Sequence, residues 1–596
     1  MTFIKLTEVE AWPKSRGWMF EPKFDGYRAS VTLTKESLSL VTRGGHDVSA
    51  KFPEVVTACK ELARAERDRL PLVLDGELVF LTSPYASDFP TVQKRSRMSQ
   101  QARICHEAEN KPCQFVAFDL LRENGETLMQ LPFSTRRTRL TQLFAKPLPS
   151  SLLLAPHSGD AKGLFERIQY YGGEGIVCKK KNSLYVPNMR SNDWLKVKHR
   201  RFVRVIVNLF DEKNGYFHGS VYDEEGSLIV VAIFRHGVEE EAYRTLKTFF
   251  QTNGSQTNEG LSLPPSVCVE LSCIGMTGGQ LREVAFSRFQ LEQAPTEVTL
   301  SRLREDLHPL PPDVKVTSLD KPLWEGIDKQ TYLHYLQAVA PYMLPFLKER
   351  ALTVIRYPHG AVGGERFYQK NCPDYAPSYV ETVRLEGIDY IVCSDPRTLT
   401  WLGNQLALEL HIPFQEAKDT KPSELVFDLD PPTEASFELA IEAASLLRET
   451  LQHFSLPSFV KTTGGKGLQL HVPLKRNAFS YEETHTFMAF VARFLCEQSS
   501  AHFTTERLKK KRGSRLYVDY LQHGHGKTVI APYSMRESGY VATPISWEEL
   551  SSGIRPEDFP LSAVLERIRK TFDPFFYYEE ARANETFAHA LERMKA

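Results

Sequence analysis

The sequence predicts a multidomain α+β protein, and three observations carry that expectation. At 596 residues the chain is too long for one hydrophobic core, and about three domains is the natural division. From about residue 203 the runs VRVIVNLF, YFHGSVYD, SLIVVAIF and SVCVELSCIG alternate between Gly, Asn and Asp turns, the texture of a small β-barrel. Residues 294–316 combine prolines with charge and read as a linker, and beyond them an apolar strand, Leu425-Val426-Phe427-Asp428-Leu429-Asp430, is stopped by Pro431 and Pro432.

Hydrophobic content of 42% and charged content of 25% are ordinary for a soluble chain. The 74 basic and 74 acidic residues cancel, so any binding to nucleic acid has to rest on local patches. Two are visible, KVKHRRFVR at 196–204 and RLKKKRGSR at 507–515, and both also fit a solvated charged face. Nine cysteines without a repeated C-x-x-C spacing read as free thiols in a reducing compartment, with no zinc site. No apolar run reaches the roughly 18 residues of a spanning helix and the first residues show no signal core. A cytoplasmic protein without a membrane partner is expected.

In chain order, the first stretch with chemistry is Glu21-Pro22-Lys23-Phe24-Asp25-Gly26-Tyr27-Arg28. Lys23 can attack the α-phosphate of a nucleotide and keep the nucleoside monophosphate as a phosphoramidate. Gly26 allows close backbone approach, and Arg28 offers a planar donor fork to phosphate or ribose. Alone, the string also fits a surface turn, where Asp-Gly is favoured. Arg43-Gly44 follows, then the strand-like LVLDGELVF at 72–80, whose alternation lets Glu77 point into a pocket toward ribose hydroxyls or a metal. Glu174 opens the run EGIVCKK, where a carboxylate suits a divalent cation. In Trp194-Leu195-Lys196-Val197-Lys198 the two lysines sit at i and i+2, so a strand sends both to one face as phosphate clamps.

With Phe118-Asp119-Leu120-Leu121 between them, these motifs, in this order, resemble those of the covalent nucleotidyltransferases, specifically ATP-dependent DNA ligases. The resemblance implies an adenylation domain over 1–200 and an OB-fold domain over 201–295. It also implies ATP contacts from Glu21, Arg28, Arg43, Glu77, Phe118, Lys196 and Lys198, with the Phe118 ring against adenine and Glu174 on a metal ion. The family's R-x-D-K element has no clean match after Arg288 in the segment Gln280–Phe289, which leaves open which basic residue assists adenylation.

Past the linker, Asp428 and Asp430 at i and i+2 lie on one strand face, as two-metal nucleotidyl transfer requires; a strand-to-turn junction reads the same way. Val460-Lys461-Thr462-Thr463-Gly464-Gly465-Lys466-Gly467 offers hydroxyls, N–H groups and an ammonium to a triphosphate. Val518-Asp519-Tyr520-Leu521-Gln522 supplies a further strand carboxylate. Residues 315–596 thereby resemble the archaeo-eukaryotic-primase-like α/β polymerase domain of bacterial ligase D. That resemblance implies metal ions, Mg²⁺ or Mn²⁺, on Asp428, Asp430 and Asp519. It implies nucleotide contacts from His411, Thr463, Lys466, Gly467, Arg512, Gln522 and Arg536, and a 5′-phosphate pocket at Lys321 and Lys329, which also read as ordinary surface charges. Three departures stand out: Gln469 where the family often has histidine, with His471 on the same strand face; Ser318 for an asparagine; and Phe367-Tyr368 for paired phenylalanines.

The function implied is end joining: a ligase followed by a gap-filling polymerase, without the phosphoesterase module of some relatives. Partners implied are double-stranded DNA ends, nicks and gaps, ATP and (ribo)nucleoside triphosphates, and the Ku homodimer, with the chain itself a nucleoid-associated monomer. The alternative is a nucleotidyltransferase of RNA-ligase or capping type fused to a non-catalytic end-binding module.

Overall fold

The computed structural model describes residues 2–146, 148–570, 573–582 and 586–595. It divides into two compact units, Met1–Pro309 and Leu310–Ala596.

In the first unit a four-stranded sheet runs Lys5–Glu8, Arg190–Lys198, Gly175–Lys180, Trp18–Pro22. A larger sheet runs Leu152–Leu154, Gln114–Glu123, Leu72–Val79, Tyr27–Leu33, Leu38–Thr42, with Glu126–Thr127 paired to Gln114–Glu123. Lys23-Phe24-Asp25-Gly26 is the crossover from Trp18–Pro22 in the small sheet to Tyr27–Leu33 in the large one. The crossover is tight: a Cβ on Gly26 would lie 2.3 Å from the Leu78 carbonyl oxygen. Leu72–Val79 is buried on both faces, so Asp75 lies in the interior beside the apolar Leu74 and Leu78. Helix Phe133–Leu143 covers the large sheet, and its Arg136 makes a fully buried pair with Asp119, both contacts at 2.8 Å.

The remainder of this unit is an antiparallel seven-stranded sheet centred on Arg201–Asp211, which pairs with Tyr216–Tyr222, Leu261–Ser262 and Cys268–Cys273. Phe210, Phe217, Phe234 and Phe250 fill its core. Part of the stretch expected as linker belongs here instead. Leu300–Leu307 is a helix capped by Thr299, its Leu303 and Leu307 are buried in the same core, and Arg204 pairs with Asp306 at 2.6 Å.

In the second unit a six-stranded sheet runs Phe503–Thr504, Leu516–Asp519, Glu424–Asp430, Leu468–Pro473, Phe459–Thr462, Pro544–Ile545. Helices Phe437–His453 and Tyr481–Gln498 bury Leu447, Leu451, Phe487 and Met488 with Leu425 and Phe427 of its strands. A four-stranded sheet, Phe367–Gln369, Thr353–Arg356, Ala407–Pro413, Thr528–Ile530, completes the unit with helix Lys329–Leu347.

Candidate active sites

Lys23 and Glu174 meet because the crossover runs beside the start of strand Gly175–Lys180. The Lys23 N–H donates to the Gly175 carbonyl at 2.8 Å. Gly175 has φ +146°, and a Cβ there would lie 2.1 Å from the Val197 oxygen, so this position takes only glycine. Lys23 Nζ then lies 2.6 Å from Glu174 Oε1. Burial raises the Glu174 carboxyl above its ordinary range while Lys23 opposes that shift. Its second oxygen, Oε2, is buried without a hydrogen-bond partner. Glu77, across the site, is pushed up to about 7 by burial, against the charges of Arg28 and Lys23.

Several residues expected at the nucleotide are engaged with protein. Arg28 does not present a free fork: its Nε and Nη2 donate to Asp75 at 2.6 and 2.7 Å, because a buried guanidinium needs its charge matched. Glu21 is likewise buried, between Lys179 at 2.6 Å and Arg137 at 3.3 Å. The Phe118 ring is 9% exposed, with the Arg28 guanidinium 4.6 Å and Lys179 Nζ 4.3 Å from its centroid. Arg43 lies exposed on a turn whose N–H donates to the Arg28 carbonyl at 2.8 Å. Lys196 and Lys198 do share a strand face, since both contact one oxygen of Glu8, at 3.2 and 2.8 Å.

Two residues in this unit lay outside sequence reasoning. Arg282 forms an ion pair with Asp25 of the crossover at 2.5 Å, whereas Arg288 is held by Glu270 at 3.0 Å. Arg282 is therefore the basic residue that this part of the chain brings to the Lys23 loop. Glu8 is the other; no motif marks it.

In the second unit Asp428 faces Asp519 on the neighbouring strand and Gln469 on the other side, and Gln469 in turn faces Lys461. Directly opposed residues on antiparallel strands share a face, so one polar row crosses four strands. Gln469 Nε2 donates to Asp428 Oδ2 at 3.2 Å, and its Oε1 is buried without a partner. Burial pushes Asp428 up to about 6, and the charges of Asp519 and Asp430 add to this while Gln469 opposes it. Asp519 Oδ1 accepts from the Gln522 N–H at 2.9 Å and the Tyr517 hydroxyl at 3.1 Å. Asp430 is drawn to two cations, Lys466 at 3.3 Å and Arg512 at 3.5 Å.

Among the described residues no group of three or more His, Cys, Asp or Glu side chains is arranged to hold a metal ion. The expected trio is present as a facing pair, Asp428 and Asp519, with Asp430 two residues along the strand in contact with Lys466 and Arg512. The donor chemistry nonetheless suits a hard divalent cation: oxygen donors only, carboxylates and one amide, with unpartnered buried oxygens on Glu174 in one unit and on Gln469 beside Asp428 in the other.

Lys466 Nζ also donates to the Pro431 carbonyl at 2.6 Å, and Thr463 Oγ1 accepts from the Gly465 and Gly467 N–H groups at 3.3 and 3.2 Å, shaping the loop from within. The Gln522 side chain donates to the Thr528 carbonyl at 2.9 Å. His471 is not a substitute for the family's histidine at the triphosphate loop: it is buried against Glu424 at 2.9 Å, beyond Gln469. Glu409 gathers His411 at 3.1 Å, Arg536 at 3.3 Å and the Tyr357 hydroxyl at 2.8 Å. Burial opposes its charge, but the His411 hydrogen bond and Arg536 bring it down to about 2. The sequence showed Glu409 beside His411 without revealing this hub.

Lys321 and Lys329 flank a hairpin, and the Lys329 N–H donates to the Lys321 carbonyl at 2.9 Å. The Lys329 ammonium donates to the Thr317 carbonyl at 2.6 Å, and that of Lys321 to the Pro358 carbonyl. Burial and then the Lys321 charge lower Lys329 to about 8. In the same hairpin Trp324 Nε1 donates to the carbonyls of Arg536 and Glu537, both at 3.2 Å, tying the pair to the Arg536 loop. Phe367 and Tyr368 are exposed on a nearby strand.

Comparison with known proteins agrees with both halves. A family described as "ATP dependent DNA ligase domain" matches residues 5–198, and one described as "LigD, primase-polymerase domain" matches residues 328–575. The "Bifunctional non-homologous end joining protein LigD" of Bacillus subtilis is 39% identical over 98% of this chain and 97% of its own. The "Multifunctional non-homologous end joining protein LigD" of Pseudomonas aeruginosa is 26% identical over 97% of this chain and 72% of its own. The solved polymerase domain of Mycobacterium tuberculosis ligase D in complex with DNA is 30% identical and covers 46% of this chain and 98% of its own, with a TM-score of 0.42. Matched along nearly its whole length, with the ligase domain first and the polymerase domain second, this chain belongs to the LigD family of bifunctional non-homologous end joining proteins.

Proposed function

We propose that Lys23 is the nucleophile that takes AMP from ATP, and that the contact between Lys23 Nζ and Glu174 at 2.6 Å is the observation that carries this reading. Glu174 Oε1 is placed to receive the amine proton as the amine attacks the α-phosphate, and burial of that carboxyl favours its taking one. Lys196 and Lys198 receive the departing phosphates, Glu77 the ribose, and Arg282 steadies Asp25 at the loop. Arg28 and Glu21 act through Asp75, Lys179 and Arg137, and Phe118 and Arg43 border the nucleotide. AMP then passes to the 5′-phosphate of a nick, and a 3′-hydroxyl displaces it.

In the second unit Asp428, Asp430 and Asp519 serve nucleotide addition. Lys466, Arg512 and Arg536 are placed for triphosphate, Thr463 and Gly467 shape their loop, Gln522 fixes Asp519, and His411, held by Glu409, is placed for the sugar. Mg²⁺ or Mn²⁺, when bound at Glu174 and at the three aspartates, would supply charge neutralisation to triphosphate and to the attacking oxygen. Lys321 and Lys329 receive a recessed 5′-phosphate. The ligase half comprises residues 1–200 and 201–295, the polymerase half 315–596, and 296–314 joins them, although its helix belongs to the barrel.

The wider setting we infer is filling and sealing of DNA ends by a monomer, with ribonucleotide preference and a Ku homodimer as partner, at the nucleoid of the cytoplasm. None of the helices among the described residues is long and apolar enough to cross a membrane. Incubation with labelled ATP and GTP in parallel tests the ligase reading against a capping-type transferase. A covalent adduct with ATP alone, lost in Lys23→Ala, supports the ligase; an adduct with GTP points to capping chemistry.

A further inference from the structure

The two lysines assigned to phosphate already hold a carboxylate. Glu8 ends strand Lys5–Glu8, which runs parallel to Arg190–Lys198, and a register shift between Leu6 and Thr7 carries the pairing from Ser191 to Leu195, setting Glu8 opposite Lys196. The Val9 N–H fixes the backbone there by donating to the Lys196 carbonyl at 3.0 Å. Glu8 Oε2 lies 3.2 Å from Lys196 Nζ and 2.8 Å from Lys198 Nζ, and Oε1 accepts from Arg200 Nη2 at 3.2 Å.

Lys198 Nζ also contacts a Glu283 carboxylate oxygen, and Arg200 Nη1 donates to the Glu283 carbonyl at 3.2 Å, but Glu8 is the carboxylate that meets all three cations, and cations converging on an anion is the arrangement in which phosphate groups are bound. Burial disfavours the charged form of Glu8, but the hydrogen bonds and charges of Lys198 and Lys196 outweigh it and hold the carboxyl at about 2. Among the described residues its side chain contacts these three cations and no backbone group, and 38% of it remains exposed. Swinging aside therefore breaks ion pairs only, of which the one to Lys198, itself 7% exposed, is the least solvated.

We propose that Glu8 occupies the pyrophosphate subsite of the free ligase as a competing anion: it pairs with Lys196, Lys198 and Arg200 when no nucleotide is bound, yields to the β- and γ-phosphates of ATP, and returns as pyrophosphate leaves. The proposal rests on the reading of Lys196 and Lys198 as phosphate-binding residues. In adenylation the bond from Lys23 Nζ to the α-phosphorus forms, the bridging bond from the α-phosphorus to oxygen breaks, the amine proton goes to Glu174, and pyrophosphate departs with the bridging oxygen. Glu8 enters none of these bonds. It competes with ATP and with pyrophosphate alike, so it weakens both by one factor and leaves the adenylation equilibrium unchanged. Its effect is confined to ligands that carry those two phosphates.

The test uses the full-length chain and three readouts: the ATP concentration giving half-maximal protein–AMP adduct, the pyrophosphate concentration that discharges the adduct, and sealing of a nick already carrying 5′-AMP. Glu8→Gln keeps the shape and removes the charge. Because Glu8 is itself 38% exposed, its hold on the lysines is partly screened, and both half-maximal concentrations should fall together by about threefold to tenfold, with sealing of the adenylated nick unchanged and confirming a folded protein. Glu8→Asp should return both toward wild type. Unchanged or increased ATP and pyrophosphate requirements in Glu8→Gln, in a protein whose Lys196→Ala/Lys198→Ala variant needs more of each, would overturn the role of Glu8 and leave the clamp standing. Should the double lysine variant need no more of either, the clamp reading fails, and the proposal with it.

Discussion

Asp428 and Asp519 stand directly opposite each other on neighbouring antiparallel strands, two carboxylates facing across one sheet surface with Gln469 bonded to the first. Like charges held this close resist joint ionisation, and Asp428 is accordingly pushed up to about 6 by burial and by its two acidic neighbours. A carboxylate with a raised value is an anion only above it. Primer extension, measured as kcat/KM for the nucleotide, should therefore fall as pH drops through about 6, by about tenfold per unit below it. Asp428→Ala should abolish extension by several orders of magnitude while sparing the sealing of a ready-made nick. Equal loss of both activities would mean that the aspartate supports the fold and not the chemistry.

The lysine pair at the Pro322–Trp324/Ile327–Asp328 hairpin gives a second pH signature. Lys329, lowered to about 8 by burial and by Lys321, is an ammonium below that value and neutral above it, whereas an ordinary lysine stays charged to about 10. A gap bearing a 5′-phosphate should be filled faster than its 5′-hydroxyl twin at pH 7, and the advantage in kcat/KM should shrink as pH rises past about 8. Lys321→Ala/Lys329→Ala should lose most of the advantage at pH 7, with open primer-template extended as by wild type. Equal rates on the two gaps with wild type would remove the phosphate pocket.

Asp119 and Arg136 are both fully buried and bonded to each other through two contacts of 2.8 Å. Removing one partner strands a charge in the interior, at a cost of about 3–5 kcal/mol. Asp119→Ala should lower the thermal unfolding temperature of the ligase half and reduce adduct formation, with primer extension retained in the same sample. Unfolding indistinguishable from wild type would show that the pair is not needed to hold the helix Phe133–Leu143 on its sheet.

Much of the two candidate sites was legible because their motifs are local in sequence. Lys23 and Glu174 stood out as motif residues, and strand periodicity placed Asp428 with Asp430 and Lys196 with Lys198. What could not be read joins residues far apart in the chain. Asp25 meets Arg282, Lys198 meets Glu8, and Glu409 meets Arg536; each pairing depends on which strands become neighbours. Arg28 looked free because its partner, Asp75, sits in a strand whose apolar neighbours suggested only packing. Leu300–Leu307 looked like linker because flanking prolines and charge concealed Leu300, Leu303 and Leu307, which share a helix face. Gln469 looked like a departure from its family, yet it is bonded to Asp428, and the histidine two residues on is committed to Glu424.

Whether Lys23 carries AMP, independently of the polymerase half, is settled by one purified sample of Lys23→Ala assayed for label transfer from ATP, for sealing of an unadenylated nick and for primer extension. If the amine held at 2.6 Å from Glu174 is the nucleophile we propose, no protein–AMP adduct should form and no such nick should be sealed, while primer extension continues at the wild-type rate. Sealing of unadenylated nicks with ATP by this variant would contradict the assignment.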